Sequence, residues 1–241
     1  MRNNAIIYPT LGLEVDNEAN KIYINDGFVM QAEEYRVSAN TMVIYSDDNY
    51  SEIEGNIQLI QLKGQGSDNS TFDSREQTLR QTAGTLTTDH MTYINQSGNE
   101  EIKLKGNVKI RHGQKIISSD IAYYNKDADD YELNGNVLVT APSLKWLLKD
   151  ETTFNNDDIQ SSLEMAVTLK ANTLHFNATD KIVVLIGDVE VLLKDKVIYC
   201  EKLTFDDSDG WVSLKGNVKM ITDNHDKIES QELRLNKIGR A

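Results

Sequence analysis

Cysteine is almost missing from the 241 residues: Cys200 stands alone, so no intrachain disulfide can form and the redox compartment stays open. Proline occurs only at Pro9 and Pro142, which leaves backbone donors nearly continuous along the chain, as long sheet ladders require. No apolar run approaches the roughly eighteen residues that a membrane-spanning helix needs. Positive charge is short as well: 25 Lys and Arg against 38 Asp and Glu give a net charge of −13. That balance argues against nucleic-acid binding, which needs basic stripes to displace counterions, and against adsorption to an anionic membrane surface. The acidity reads as solubility.

Catalytic signals are equally sparse. His90, His112, His175 and His225 are scattered, with no metal-ligand spacing and no cysteine or histidine partner nearby. Nucleophile elbow, phosphate loop and dinucleotide fingerprint are all absent, and Gly64-Gln65-Gly66-Ser67 reads as a flexible turn. The Asp-rich clusters lack the calcium-loop spacing with its closing Glu. The chain is therefore expected to need no metal or cofactor and not to be an enzyme. The one catalytic route left open is a pair of turn carboxylates acting on a carbohydrate. Met1-Arg2-Asn3-Asn4 has no apolar signal core, as in a cytosolic chain or one whose signal or anchor has been removed.

What the chain has is repetition. Leu104-Lys105-Gly106-Asn107-Val108-Lys109-Ile110 recurs around Gly55, Gly135, Gly187 and Gly216, and more loosely around Gly27. Two residues before each glycine stand Ile53, Leu104, Leu133, Leu185 and Leu214; two after stand Ile57, Val108, Val137, Val189 and Val218. Four after come Leu59, Ile110, Val139, Val191 and Met220. Strict alternation with β-branched residues predicts half-buried strands. The glycine falls in phase with the apolar residues, which places it on their face at a bend or a close backbone approach.

A second element alternates with the first. Its copies centre on a polar anchor: Asn40, Asp89, Asp120, Asn172, Glu201 and Gln231. One residue before the anchor is always small: Ala39, Thr88, Ser119, Ala171, Cys200 and Ser230. Two after it is apolar, and four after it stand Ile44, Tyr93, Tyr124, Phe176, Phe205 and Leu235. The apolar face slips by one residue at the anchor, so each of these strands turns a corner there, with the small residue on the crowded inside and the anchor bonding the disrupted backbone. Cys200 in that inner position reads as a buried, inert thiol.

Gly27, Gly106 and Gly187 lie 79 and 81 residues apart, and Gly55, Gly135 and Gly216 lie 80 and 81 apart. The chain is thus expected to be one elongated domain over residues 1–241, made of three copies of about 80 residues (about 10–87, 88–168 and 169–241). Long gaps at Gln61–Gly84 and Ala141–Ala166 read as irregular strands and loops, with a strand at Lys145–Leu148 and a short helix at Asp158–Met165. Asx-rich stretches such as Asp47-Asp48-Asn49 and Asn125–Asp129 read as hairpin turns.

The unit Ile117-Ser118-Ser119-Asp120-Ile121-Ala122-Tyr123-Tyr124, turn, Leu133-Asn134-Gly135-Asn136-Val137 resembles the OstA/LptA-like family of lipopolysaccharide transport proteins. The match recurs from about Lys21 to Leu235. The resemblance implies an all-β fold, a repetitive antiparallel β-jellyroll whose two facing sheets form a V-shaped trough. It also implies a periplasmic module that shields the acyl chains of lipopolysaccharide between the sheets and bridges inner and outer membranes. Met42, Ile44, Met91, Tyr93, Ile110, Tyr124, Val139, Phe176, Val191, Phe205 and Met220 would line the interior. Ile22, Ile24, Leu233 and Leu235 would form terminal strands for head-to-tail self-association or pairing with other jellyroll proteins of the transport system, unless residues 1–12 shield the first edge. The partners so implied are lipopolysaccharide or another acylated lipid and a second jellyroll. The competing reading is a non-catalytic structural β-repeat stalk with a filled core.

Overall fold

The computed structural model describes residues 5–32, 35–61, 84–96, 99–143, 165–177, 179–180, 182–206 and 211–236. Residues 62–83 and 144–164 lie outside the described set. With them go the strand expected at Lys145–Leu148 and all but the last residue of the helix expected at Asp158–Met165. The described chain is all-β and antiparallel, and no helix in it is long and apolar enough to cross a membrane.

Two compact units divide the chain. The first takes residues 1–113 and 121–127, the second 114–120 and 128–241. The corner and glycine elements recur in both. The strand β10 (Lys115–Asn125) gives its first part to the second unit and the rest to the first.

In the first unit, the long strand β7 (Tyr50–Gln61) carries two ladders on one edge. Its start pairs with β6 (Thr41–Tyr45), and its end pairs with β5 (Tyr35–Ala39). Strands β5 and β6 are the two halves of one corner strand, interrupted at Asn40. From there the sheet continues as two arms. One runs through β4 (Phe28–Gln31) to β1 (Ile6–Pro9); the other runs through β3 (Lys21–Ile24) to β2 (Glu14–Asp16). On its other edge β7 meets β8 (Gly84–Gln96), and β8 meets β9 (Asn99–His112).

The second unit is a simple meander. Strands β11 (Asp130–Ala141), β12 (Val167–Asn177), β13 (Ile182–Leu192), β14 (Lys196–Asp206), β15 (Trp211–Thr222) and β16 (Lys227–Asn236) pair in chain order. Leu133, Leu174, Leu185, Leu203, Leu214 and Leu233 stand opposite one another across the six strands and form one leucine row.

This arrangement corrects the placing of the first edge. Ile22 and Ile24 do not form a terminal strand: β3 is paired on both sides, and Ile24 is 1% exposed. Among the described strands the edge belongs to β1 and β2, and what covers β3 is β2 at Glu14–Asp16 rather than residues 1–12. Leu233 and Leu235 lie in β16, which among the described residues pairs with β15 alone.

The corners show how the register is held. Between Glu54–His90 and Ile57–Thr88, two residues of β7 face one residue of β8. The same two-against-one count occurs at Gly135-Asn136 facing Asn172, at Gly187-Asp188 facing Glu201, and at Gly216-Asn217 facing Gln231. The extra residue sits in the glycine strand, where both members of the pair adopt positive φ. Gly106 is at 81° and Asn107 at 48°, and the other pairs are alike. Asn and Asp tolerate the left-handed region better than other side chains, which is why Asn or Asp follows every one of these glycines.

The direction of the glycine differs from the sequence expectation. A Cβ on Gly106 would lie 2.5 Å from the carboxylate of Asp89, on the exposed side of the neighbouring corner strand. The glycine therefore makes room for the anchor outside, not for packing inside. Positive φ turns the Cα hydrogen away from the apolar face, which alternation alone does not reveal.

Candidate functional site

The anchors and the residues after each glycine join in a line of side-chain bonds across the corner. Asn107 donates to Asp89 at 2.7 Å, Asn136 to Asp120 at 2.8 Å and Asn217 to Glu201 at 2.6 Å. In the fourth pair the roles are reversed: Asn172 donates to Asp188 at 3.2 Å. One amide and one carboxylate are kept in each of these four, so a donor always meets an acceptor. The small residues Ala39, Thr88, Ser119, Ala171 and Cys200 are buried, whereas Ser230 is exposed, and the hydroxyl of Thr88 donates to the carbonyls of Lys105 and Gly106. It is thus the small residue that satisfies the disrupted backbone here, while the anchor bonds a side chain.

Inside the corner, apolar rows run across the strands. Nearest the corner in the first unit are Ile24, Met42, Ile53, Met91 and Leu104 on one side, with Phe28, Ile57 and Val108 on the other, all 6% exposed or less. A single sheet layer leaves both faces open, so burial to this degree requires that the arms fold toward each other at the corner. One step outward the same faces open. Ile44, Tyr93 and Ile102 in one arm, and Leu59, Leu86 and Ile110 in the other, are half-buried. At the first edge, Leu13 and Val15 are 56% and 52% exposed. The result is a slot, dry at its apex and partly open toward its lips. Desolvation, and then the nearby Glu100 carboxylate, push the Tyr93 hydroxyl up to about 12, so it stays protonated in this slot.

In the second unit the corner rows are buried in the same way: Val137, Val189 and Val218 are 2%, 1% and 5% exposed. The next rows are buried too. Val139 and Leu169 are 0% exposed, Val191 is 3%, and Val183, Phe205 and Val212 are all buried. Toward β14–β16 this unit opens, where Ile198 and Met220 are half-buried and Ile228 is 53% exposed, and at β11–β12 Tyr131 is exposed and Phe176 half-buried. A cavity of about 410 Å³ opens over Thr140–Pro142, Ala166–Thr168 and Leu192–Leu193 at one rim.

The eleven residues expected to line the interior therefore divide. Met42, Met91, Val139, Val191 and Phe205 are buried core, whereas Ile44, Tyr93, Ile110, Tyr124, Phe176 and Met220 are half-buried. The ring of Phe176 stacks on Tyr131 at 5.6 Å. Ile22, Leu59 and Leu86, not singled out as lining residues from sequence, belong to the half-buried rows. The signal for Leu59 and Leu86 was the alternation itself, four residues after Gly55 and three before Asp89.

The outer faces are polar and paired. His175 meets Asp130 at 2.7 Å, and Tyr45 and Tyr50 both donate to Glu52, whose carboxyl is held low mainly by the Tyr50 bond. His90 lies 3.6 Å from Glu54. Among the described residues, no three His, Cys, Asp or Glu side chains converge as metal ligands. The thiol of Cys200 is pushed up to about 11 by burial.

No curated protein matches the sequence. Among solved structures, the chain is similar to LptH, the LptA-homologous periplasmic component of the lipopolysaccharide transport device of Pseudomonas aeruginosa. Identity is 10% over 55% of this chain and 83% of that one, with a TM-score of 0.42. A family model described as LptA/(LptD N-terminal domain) LPS transport protein matches residues 87–238. With corner and glycine strands alternating through most of that span, the chain belongs to the LptA/LptD N-terminal-domain family of lipopolysaccharide transport proteins.

Proposed function

We propose that the chain is a periplasmic carrier that holds the acyl chains of lipopolysaccharide in the slot of its first unit, and that it joins another jellyroll protein to bridge inner and outer membranes. The observation that carries this reading is the burial gradient from Ile53 and Met91 at the apex to Ile44, Tyr93, Leu86 and Ile110 toward the lips. Half-exposed apolar rows facing one another gain by being covered, at roughly 0.8 kcal/mol per methylene buried, so several acyl segments bind without any charged contact. The net charge of −13 is compatible with a phosphorylated lipid whose head groups remain in solvent. A slot without convergent polar groups suits a carrier rather than a catalyst.

The test is a photo-crosslinking amino acid at Tyr93 or Ile110 in a Gram-negative cell, with the outward-facing Thr92 as control. Lipopolysaccharide is expected to be captured from the two slot positions and not from the control. Absence of capture at both, with the protein folded, removes the proposal. A filled structural stalk is the second reading, and it draws on the closed rows at Val139, Leu169 and Val191. It predicts that native mass spectrometry finds no co-purified lipid.

A further inference from the structure

The net charge of −13 is unevenly placed. In the first unit, one arm consists of β1, β4, β5, the end of β7, the start of β8 and the end of β9. It turns two rows outward, each one position away from buried residues such as Val37, Ile57 and Val108. The row nearer the lips runs Ile6, Gln31, Arg36, Ile60, Thr85 and Arg111 across the strands. The row nearer the corner starts at Tyr8 and ends at Lys109, with only Val, Ser, Gln and Thr between them. Together the two rows hold three cations and no carboxylate. The matching outward rows of the other arm carry Glu14, Asp16, Glu52 and Glu101 against Lys21 and Lys103. We infer that the carboxylate-free face seats the protein on an anionic lipid surface.

Arg36, Lys109 and Arg111 are exposed and make no ion pair among the described residues. On the corresponding face of the second unit the lysines are engaged: Lys170 meets Glu190 at 2.7 Å, and Lys227 is paired with Glu229. Glu33 and Glu34, which precede β5 in the sequence, lie outside the described residues. An unpaired cation meets a phosphate without first giving up a carboxylate. The acidity of the whole chain opposes adsorption only when it is spread evenly, because charges farther from the surface than a Debye length, roughly 8 Å at physiological salt, are screened.

The layout of the face narrows the partner. Arg36 and Arg111 stand three strand spacings apart, roughly 14 Å, too far to grip one phosphate together and suited to a plane that bears many. Ile6 and Tyr8, 57% and 56% exposed, lie at the margin of the same face. A headgroup layer takes up an apolar side chain and a tyrosine ring, which an acidic, fully polar peptide leaves in water.

The inference does not depend on the slot, and its test needs no lipopolysaccharide. The full chain would be sedimented with vesicles of equal parts phosphatidylglycerol and phosphatidylcholine, and with vesicles of phosphatidylcholine alone, which offer the same tails without net charge. Binding is expected to the first and not the second, with release at about 0.5 M salt. Strand β9 supplies a matched control, since Lys103 and Lys105 lie outside one arm and Lys109 and Arg111 outside the other. Lys109→Gln with Arg111→Gln should lower the partition at least about tenfold, at roughly fivefold per cation. Lys103→Gln with Lys105→Gln makes the same change in net charge and should leave the partition within about twofold. Ile6→Ser with Tyr8→Ser, at constant charge, should lower it about threefold or more. All six positions except Lys103 and Lys105 lie on the proposed face, and melting temperatures check that each variant is folded. Equal losses from the two β9 pairs, equal binding to both vesicles, or binding to neither overturns the inference. Retention on immobilised poly-glutamate in place of the vesicles, or no loss from the Ile6 and Tyr8 pair, assigns the face to an acidic chain and overturns it as well.

Discussion

Tyr93 and Phe205 hold the same place in the repeat, four residues after the anchor, yet one is half-buried and the other is 4% exposed. Ile110 and Val139 match in the same way, four residues after the glycine, and only Val139 is fully enclosed. The first unit thus keeps an open slot where the second closes around β11–β13 on one side and β13–β15 on the other. Both are built on the same corner. What differs is how fully the row next to it is covered. A corner fixes register and leaves the opening angle to the rows beyond.

The largest expected effect tests that difference directly. Leu169→Ala should cost about 2–5 kcal/mol in urea unfolding, because the cavity opens in packed core, whereas Leu86→Ala should cost less than about half as much. Equal losses would mean that the two units are equally filled. Next comes Gly106→Ala against Gly187→Ala. Each adds a Cβ against an anchor in left-handed backbone, at about 1–3 kcal/mol, and the two losses should agree because the corner is common to both units. A clear disagreement would place the difference at the corner after all.

A smaller effect is expected at the reversed pair. Asn172→Asp alone sets two carboxylates together and should lower the melting temperature. Adding Asp188→Asn restores one donor and one acceptor and should recover most of the loss, with a coupling of about 0.5–1 kcal/mol. Absence of recovery would show that the pair does not act as one.

The smallest effect concerns Cys200. Its folded pKa is raised, so the thiol's contribution to stability is complete below its unfolded value of about 8.5 and declines as pH rises toward the folded value of about 11. Thermal unfolding followed from pH 8 to 11 should show this decline in the native chain and less of it in Cys200→Ala. A decline of equal size in the variant would assign it to other groups.

Much of this architecture was legible in the sequence because it rests on a period of two. Val108, Val137, Val189 and Val218 were identifiable as core from alternation alone, and all four are buried. The slip at each anchor gave the corners. The outward aim of the glycines was not legible, since a residue without a side chain shows no face in a pattern. The first edge was misplaced at β3 because β1 and β2 lack both repeat signatures: their corner reads Thr10-Leu11-Gly12, and Leu11 and Leu13 break the phase seen elsewhere. The split among the lining residues was hidden for a different reason. Alternation states which way Tyr93 and Phe205 point, but not whether anything lies against them.

The two-against-one count at the corners also constrains how such a chain changes in length. Losing or gaining one residue at a Gly-Asn pair would turn half a strand inside out, and adding a lone strand would leave two like strands side by side. Growth by whole hairpins, one corner strand with one glycine strand, breaks neither rule. Lengthening by duplication of paired strands is then the path of least disruption, and the spacing of about 80 residues between like glycines is the trace such copying would leave.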